Sequence, residues 1–148
     1  MSRPLEGIRV IDASTVLAGP SVGTFFAELG ADVLKIEHPK HPDVTRSWKL
    51  PIEKKESPVS AYFSSINYLK DYASLNLKDE NDLEIFFEHI SNADILITNF
   101  KHGDAEKFGI EDEKLLALNP RLIIGKINGY GADDDRVAYD LIIQAESG

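Results

Sequence analysis

The sequence predicts an α/β fold with a Rossmann-like, doubly wound and mostly parallel sheet. Three observations predict it. Short apolar runs typical of buried strands recur along the 148 residues. Between them lie segments with apolar side chains at three- and four-residue spacing, which is the period of a helix. Glycine or proline stands at several of the boundaries. Strands that alternate with helices in this way favour parallel pairing, with helices on both faces of the sheet.

The first strand, helix and second strand come early in the chain. Ile8–Ala13 is predicted to be a strand, Pro20–Leu29 a helix that ends at Gly30, and Asp32–Glu37 the next strand. This unit places a helix N-terminus directly after a strand, as in folds that bind phosphate-bearing cofactors.

The rest of the chain continues the alternation after a polar, proline-bearing connection at residues 38–57. Because parallel strands end at one edge of a sheet, the loops that follow them should line that edge and bind any ligand. The further helices are predicted at Pro58–Tyr68, Asp79–Ser91, Asp104–Lys107, Asp112–Leu118 and Arg136–Glu146, and the further strands at Ala73–Leu77, Asp94–Thr98 and Leu122–Ile127.

Composition excludes several classes of function. The net charge of −9 argues against a nucleic-acid partner. The chain has no cysteine, which excludes thiolate catalysis and fits a reducing compartment. No apolar run approaches the ~18 residues of a membrane span, and no signal-peptide pattern opens the chain. We therefore expect a soluble, cytoplasmic protein without a membrane partner.

The loop after the first strand has glycines at the wrong spacing for NAD. A dinucleotide fingerprint requires three closely spaced glycines, whereas this loop offers Gly19 and Gly23, with Pro20 removing an N–H group from the first helical turn. Glu37 resembles the ribose-binding acid of NAD enzymes, but the glycine spacing argues against NAD as a cofactor. Gly23 either approaches a ligand or only permits close packing of helix and sheet.

A second candidate lies after the strand that ends at Thr98. Asn99, Phe100 and Lys101 offer an amide, an aromatic ring and a cation, which suit a flat, phosphate-bearing ligand. An ordinary turn capped by Asn99 explains the same residues equally well. Other cations could form a phosphate-facing patch or be dispersed over the surface: Lys35, His38, Lys40, His41, Arg46 and Lys107.

No metal site is predicted. The four histidines have no ligand spacing, and the run Asp133-Asp134-Asp135 lacks the pattern of a calcium loop, so a solvated loop before the last helix is favoured. On that helix, Asp140 beside Tyr139 is either a buried acid–base group or a structural hydrogen-bond acceptor.

Taken together, several ordered segments resemble the class III CoA-transferases, the family of formyl-CoA and carnitine CoA-transferases that also includes α-methylacyl-CoA racemase. The resemblance runs through essentially the whole chain. The segments that carry it are Pro4-Leu5-Glu6-Gly7, Leu17-Ala18-Gly19-Pro20, residues 29–37, Asp43-Val44-Thr45-Arg46, residues 93–100, residues 118–123 and Gly129-Tyr130-Gly131.

The resemblance implies a site for coenzyme A or acyl-CoA, with no metal and no NAD. The residues it implies are Leu17, Ala18, His38, Leu75, Asn76, Leu77, Lys78, Asn99, Phe100, Lys101, Lys107, Arg136, Val137, Ala138, Tyr139 and Asp140. His38 and Lys107 stand where formyl-CoA transferase has arginines, so bidentate phosphate contacts would be lost there.

Two further departures bear on the reaction. Leu17 replaces the glutamine that helps hold oxalate in formyl-CoA transferase, which argues against oxalate. Tyr139 stands where the racemase branch has its catalytic histidine, and a tyrosine is a poor base near neutral pH. The resemblance therefore favours transfer of CoA between an acyl-CoA and a small carboxylic acid. The alternatives are a 2-methylacyl-CoA racemase or epimerase and a CoA-binding fragment without catalysis.

The family uses a nucleophilic aspartate that forms a covalent intermediate. The resemblance places that aspartate beyond Gly148, so no catalytic residue is expected within this chain. We therefore expect residues 1–148 to be the N-terminal CoA-binding part of a transferase, inactive alone. The full-length enzyme is expected to form an interlocked homodimer.

Overall fold

A computed structural model describes residues 3–131, 134, 136 and 138–148 of the chain. The strands are β1 (Arg9–Asp12), β2 (Asp32–Glu37), β3 (Asp71–Ser74), β4 (Ile95–Thr98) and β5 (Ile123–Lys126). The helices are α1 (Ala18–Glu28), α2 (Ala61–Asn67), α3 (Glu80–Ser91), α4 (Asp104–Phe108), α5 (Asp112–Leu118) and α6 (Asp140–Ser147), with a 3-10 helix at Val44–Ser47.

The five strands form one sheet in the order β3-β2-β1-β4-β5, and all four strand pairs are parallel. The predicted fold class is therefore confirmed. All strands end at the same edge, which we call the carboxyl edge. The order reverses between β1 and β4, because β2 and β3 lie on one side of β1 while β4 and β5 lie on the other. A crevice at such a switch point is where open α/β sheets bind ligands.

Apolar side chains alternate between the two faces of the sheet, as a strand period of two requires. Val10, Val33 and Ile97 pack with Ala27 of α1 on one face. The other face holds a larger cluster with Phe86 and Ile90 of α3 and side chains from the chain beyond α4; its buried members are Ile11, Ala13, Ile36, Leu75, Phe86, Ile90, Ala93, Leu96, Ile110, Leu115 and Leu122. Helices pack against both faces of the central strands, whereas the outer strands β3 and β5 are largely exposed.

Local chemistry explains the element ends. Asp79 caps α3 by accepting hydrogen bonds from the backbone of Asn81 and Asp82. Gly30 follows α1 with φ +101°, a conformation that favours glycine.

The predicted strand Ala73–Leu77 is wrong by two residues at its start and three at its end, because β3 is Asp71–Ser74. The Leu75 N–H still bonds the Glu37 carbonyl at the end of β2.

The last helix begins later than predicted. It starts at Asp140 rather than Arg136, and its N-cap is Tyr139. Val137 lies outside the described residues. Among the helices that the structure describes, none is long and apolar enough to cross a membrane.

The connection between β2 and α2 is ordered by side chains that bind backbone. Lys49 Nζ donates to the carbonyl oxygens of Lys54, Lys55 and Ser57 at 2.5–3.1 Å. The Glu53 carboxylate accepts the N–H groups of Leu50 and Ala61. A polar segment without strands thus holds a defined shape next to the carboxyl edge.

Candidate functional site

The carboxyl edge gathers most of the residues predicted to bind a ligand. Each belongs to a segment that follows a strand: Leu17 and Ala18 follow β1, His38 follows β2, Leu75, Asn76, Leu77 and Lys78 follow β3, and Asn99, Phe100 and Lys101 follow β4, with Lys107 in α4. Because the strands are parallel, these segments meet at one edge. The sequence prediction of a common location is therefore in line with the topology.

Side chains hold the loop between β1 and α1 in place. The Asn99 amide bonds the backbone of Thr15 twice: its Oδ1 accepts the Thr15 N–H at 2.9 Å, and its Nδ2 donates to the Thr15 carbonyl at 2.8 Å. Asp43 Oδ2 accepts the N–H of Val16 at 3.0 Å. Lys35 Nζ donates to the Ser14 carbonyl at 2.8 Å. Three consecutive loop residues are thus held from three other segments.

Buried charges lie beneath this loop. Lys35 Nζ lies 3.5 Å from Asp43 Oδ2, and both side chains are almost fully buried. Lys70 Nζ lies 2.8 Å from Asp12 Oδ2 and also donates to Pro20 O and Asn67 Oδ1. Burial lowers the pKa of Lys70, and Asp12 opposes that shift. Each buried ammonium group has a carboxylate partner, as burial of charge requires.

A third ion pair completes this group. Arg46 donates from Nε and Nη2 to the two carboxylate oxygens of Glu37 at 2.8 and 3.0 Å. The hydrogen bond with Glu37 raises the pKa of Arg46, and the guanidinium lies 3.9 Å from the centre of the Phe63 ring. Glu37 Oε2 also accepts the Asp43 N–H at 3.0 Å.

These contacts correct two interpretations of the sequence. Lys35 and Arg46 are not part of a phosphate-facing patch, because each is bonded to protein acceptors and Lys35 is buried. Glu37 is not poised for a ribose, since it is buried and both of its oxygens are bonded to Arg46. The sequence alone cannot show that the side chains of Lys35, Glu37 and Arg46 bond other protein groups instead of facing a ligand.

The two glycines of α1 make room for the buried polar groups. A Cβ atom at Gly19 would lie 2.2 Å from Ser14 Cβ, and one at Gly23 would lie 2.8 Å from Asp12 Oδ2. This supports the explanation that Gly23 permits close packing of helix and sheet, because a larger side chain there would collide with Asp12. Pro20 is the third residue of α1 rather than its first.

Other cations at the edge remain accessible. Lys40, His41 and Lys101 are exposed, while Lys107 is exposed and pairs with Asp104 at 3.0 Å. His38 is half-buried, and its Nδ1 accepts the N–H groups of Lys40 and His41 at 3.0 and 3.1 Å. His38 thus shapes the turn that carries Lys40 and His41, and Lys40 is a positive charge in a protein of net charge −9.

The aliphatic and aromatic members of the predicted set are less available. Leu75 is buried in the core, so a ligand could meet only its backbone. Leu77 and Phe100 are half-buried, and Phe100 packs edge-on against Phe108 with ring centres 5.5 Å apart. Asn76 accepts the Lys78 N–H, and Lys78 itself is exposed.

The segment before α6 follows β5 at the same edge. Arg136 forms a two-point contact with Asp134 and lies 3.6 Å from the centre of the Tyr130 ring. Ala138 and Tyr139 are exposed. Asp140 is also exposed and accepts a hydrogen bond from Gln144 at 2.6 Å, which contradicts a buried acid–base role and fits the structural alternative. Val137 lies outside the described residues.

Sequence reasoning missed the residues that organise the edge. The sequence analysis gave no role to Asp12, Asp43 or Lys70. Of these, only Asp12, which ends the apolar run of β1, carried a usable signal of a buried polar contact. In the described part of the chain, no group of three histidine or acidic side chains could hold a metal ion.

The fold and the site define an α/β protein in which polar and cationic loops meet at the switch point of a Rossmann-like sheet. A family model described as CoA-transferase family III matches residues 5–148, so the chain belongs to that family.

Similar proteins agree with this assignment. The chain is 41% identical to an acetyl-CoA:oxalate CoA-transferase from Acetobacter aceti and 38% identical to a succinate–glutarate CoA-transferase from Agrobacterium fabrum, over 98% of this chain in each case. A CaiB/BaiF family protein from Brucella suis has a solved structure that matches with a TM-score of 0.91 and 37% identity over 99% of this chain. The chain spans 37–39% of the length of these three proteins.

Proposed function

We propose that this chain forms the CoA-binding part of an enzyme that moves CoA between an acyl-CoA and a small carboxylic acid. Membership of CoA-transferase family III over residues 5–148 is the observation that carries the proposal. Two relatives supply the partner class, since one is an acetyl-CoA:oxalate CoA-transferase and the other a succinate–glutarate CoA-transferase.

The carboxyl edge has the chemistry that CoA requires. Exposed lysines at positions 40, 101 and 107 offer counter-charge for phosphate groups. Leu17 and Ala18 begin α1 beside Asn99, at the switch point where the two halves of the sheet diverge. This geometry supports binding of the nucleotide part of CoA along the edge and the pantetheine arm near Leu17.

We further propose that the reactive carboxylate is an aspartate beyond Gly148. It would attack the acyl-CoA carbonyl to give a mixed anhydride and release the CoA thiolate. The thiolate would then attack the aspartyl carbonyl, free the donor acid and leave an aspartyl-CoA thioester. The acceptor carboxylate would displace CoA from this thioester to give a second mixed anhydride. Attack of the CoA thiolate on the acceptor's acyl carbonyl would form the product thioester and regenerate the aspartate.

Residues 1–148 would form one CoA-binding domain that binds CoA weakly and transfers nothing alone. The full-length enzyme would be an interlocked homodimer.

The binding part of this proposal is tested by titrating CoA into the ¹⁵N-labelled chain. We expect amide shifts at Leu17, Ala18 and Lys101, and none at Arg9 or Asp71, which begin strands at the opposite edge. Shifts confined to that opposite edge, or none at any CoA concentration, would contradict the site.

The reaction is tested on an enzyme of full family length that carries this sequence. We expect transfer of CoA from an acyl-CoA to a free acid. In heavy water we expect no deuterium at the α-carbon of a 2-methylacyl-CoA, because Tyr139 is a poor base near neutral pH. Rapid α-deuteration without transfer would instead indicate the racemase alternative.

A further inference from the structure

We propose that Asp43 and Asn99 are positioning residues that hold residues 14–16 so that Leu17 and Ala18 can contact CoA. This inference rests on the proposed function and deepens it. The role expected for Asn99 from sequence was to contact the ligand itself. In the structure, the oxygen and the nitrogen of its amide both bond the backbone of Thr15, across 84 positions of sequence.

The loop needs such support because its backbone is strained. Val16 has φ +71°, in the left-handed region that β-branched residues rarely adopt. A free loop would relax from this conformation. Asp43 Oδ2 accepts the N–H of Val16, which is the strained residue, and Asn99 holds Thr15 immediately before it.

Asp43 cannot act on a ligand directly. It is 2% exposed, its Oδ1 accepts both the N–H and the hydroxyl of Thr45, and its Oδ2 faces Val16 and Lys35. Any effect of Asp43 on CoA binding must therefore pass through the residues that it holds. A change of CoA affinity in an Asp43 variant therefore indicates positioning by itself, whereas for an Asn99 variant the amide exchange of the loop must be measured as well.

The positions of the three holding residues also favour this role. Lys35 lies on β2, Asp43 caps the 3-10 helix and Asn99 follows β4, so the loop is fixed relative to both halves of the sheet at the switch point. A ligand in that crevice would meet a surface that is already ordered. Preorganisation of this kind strengthens binding because less ordering is needed when the ligand arrives.

The test uses Asp43→Asn and Asn99→Asp in the ¹⁵N-labelled chain. Asp43→Asn can keep an oxygen for Thr45 but presents an amide nitrogen to Val16. Asn99→Asp keeps the acceptor for the Thr15 N–H and loses the donor to its carbonyl.

We expect faster hydrogen exchange of the Val16 amide in both variants. The first variant removes its acceptor, and the second turns an oxygen towards the Thr15 carbonyl, which repels the peptide group that carries the Val16 N–H. CoA binding should weaken about fivefold in Asn99→Asp, the factor expected for one lost hydrogen bond. It should weaken by at least that factor in Asp43→Asn, which also removes the carboxylate partner of Lys35.

A control and a rescue separate positioning from general damage. Asn119→Asp, remote from the loop, should lower stability without changing Val16 exchange or CoA affinity. Adding Val16→Gly to Asp43→Asn should restore part of the CoA affinity, because glycine adopts positive φ without strain.

The outcomes test the positioning role and the proposed CoA binding separately. Unchanged exchange at Val16 would overturn the positioning role. Weaker CoA binding in Asn99→Asp with unchanged exchange would instead make Asn99 a direct contact. Should Asp43→Asn fail to fold, Asn99→Asp together with the Asn119→Asp control still decides the matter. If the wild-type chain shows no CoA-dependent shifts, the proposed function itself fails, whereas the exchange data still report on the loop.

Discussion

Lys70 and Asp12 form an ion pair of 2.8 Å between Nζ and Oδ2, although 58 positions separate them in sequence. Both side chains are buried, and the pair lies between the end of β1 and helix α1. Only a helix without a side chain at Gly23 can approach the pair so closely. The glycine pattern of α1 is therefore explained by charges inside the protein.

We expect Gly23→Ala to destabilise the chain by about 1–3 kcal/mol, as overpacking of a filled interior does. The new Cβ would lie 2.8 Å from Asp12 Oδ2 and 3.1 Å from Lys70 Nζ, so one of the two must move. Helix propensity alone predicts the opposite sign, a gain of about 1 kcal/mol. The free energy of unfolding from urea titration distinguishes the two.

The control for that substitution is Ser21→Ala on the same helix, where the side chain is half-buried. It should change the free energy of unfolding by less than about 0.5 kcal/mol, the range of ordinary surface substitutions. Equal stability of Gly23→Ala and wild type would show that the buried pair adapts freely, and would remove the packing explanation.

Much of the fold could be predicted because local signals agree with it. β2 was predicted with its observed bounds, Asp32–Glu37, since an apolar run follows Gly30 directly. α5 was predicted with its bounds, and α3 within one residue, because Asp79 is a strong N-cap. The prediction misplaces β3 because this outer strand begins with Asp71 and ends with Ser74, both polar, while the stronger apolar signal comes from Leu75 just beyond it.

The candidate site could be located from sequence, but its internal contacts could not. Parallel topology alone brings the loops after the strands together. Whether a given charge faces solvent or another residue depends on contacts between distant segments, such as Asn99 with Thr15 or Lys70 with Asp12. No local pattern reports these, so the sequence leaves open whether Lys35 and Arg46 face a ligand or the solvent, and it does not reveal their protein partners.

A pH effect is expected at the connection before α2. Hydrogen bonds from the N–H groups of Leu50 and Ala61 lower the pKa of Glu53. The ionised form of Glu53 is therefore favoured in the folded state. Its contribution to the free energy of unfolding is complete above the ordinary pKa of a glutamate. That contribution is lost as the pH falls through the lowered folded value.

This effect is measured by following amide proton shifts of Leu50 and Ala61 between neutral and acidic pH. Both should titrate together, with a midpoint below the ordinary range for glutamate, about 4.3. Glu53→Gln should abolish the shared transition while keeping one acceptor oxygen. Independent midpoints for the two amides, or a common midpoint that is not below the ordinary value for a glutamate, would contradict the contact.

Asn119 should stabilise the junction between α5, α3 and β4 through its amide nitrogen. Nδ2 donates to the carbonyl oxygens of Ile90 and Ala93 at 2.9 and 2.7 Å, while Oδ1 accepts the Arg121 N–H. Asn119→Asp would turn a donor into an oxygen that faces two carbonyls, and we expect the free energy of unfolding to fall by about 1–3 kcal/mol.

Asn128→Asp is the matched control, because it adds the same charge and keeps the oxygen that accepts the Gly131 N–H. Urea titrations should show a much smaller effect for Asn128→Asp; equal losses would mean that the added charge, rather than the lost donor, is responsible.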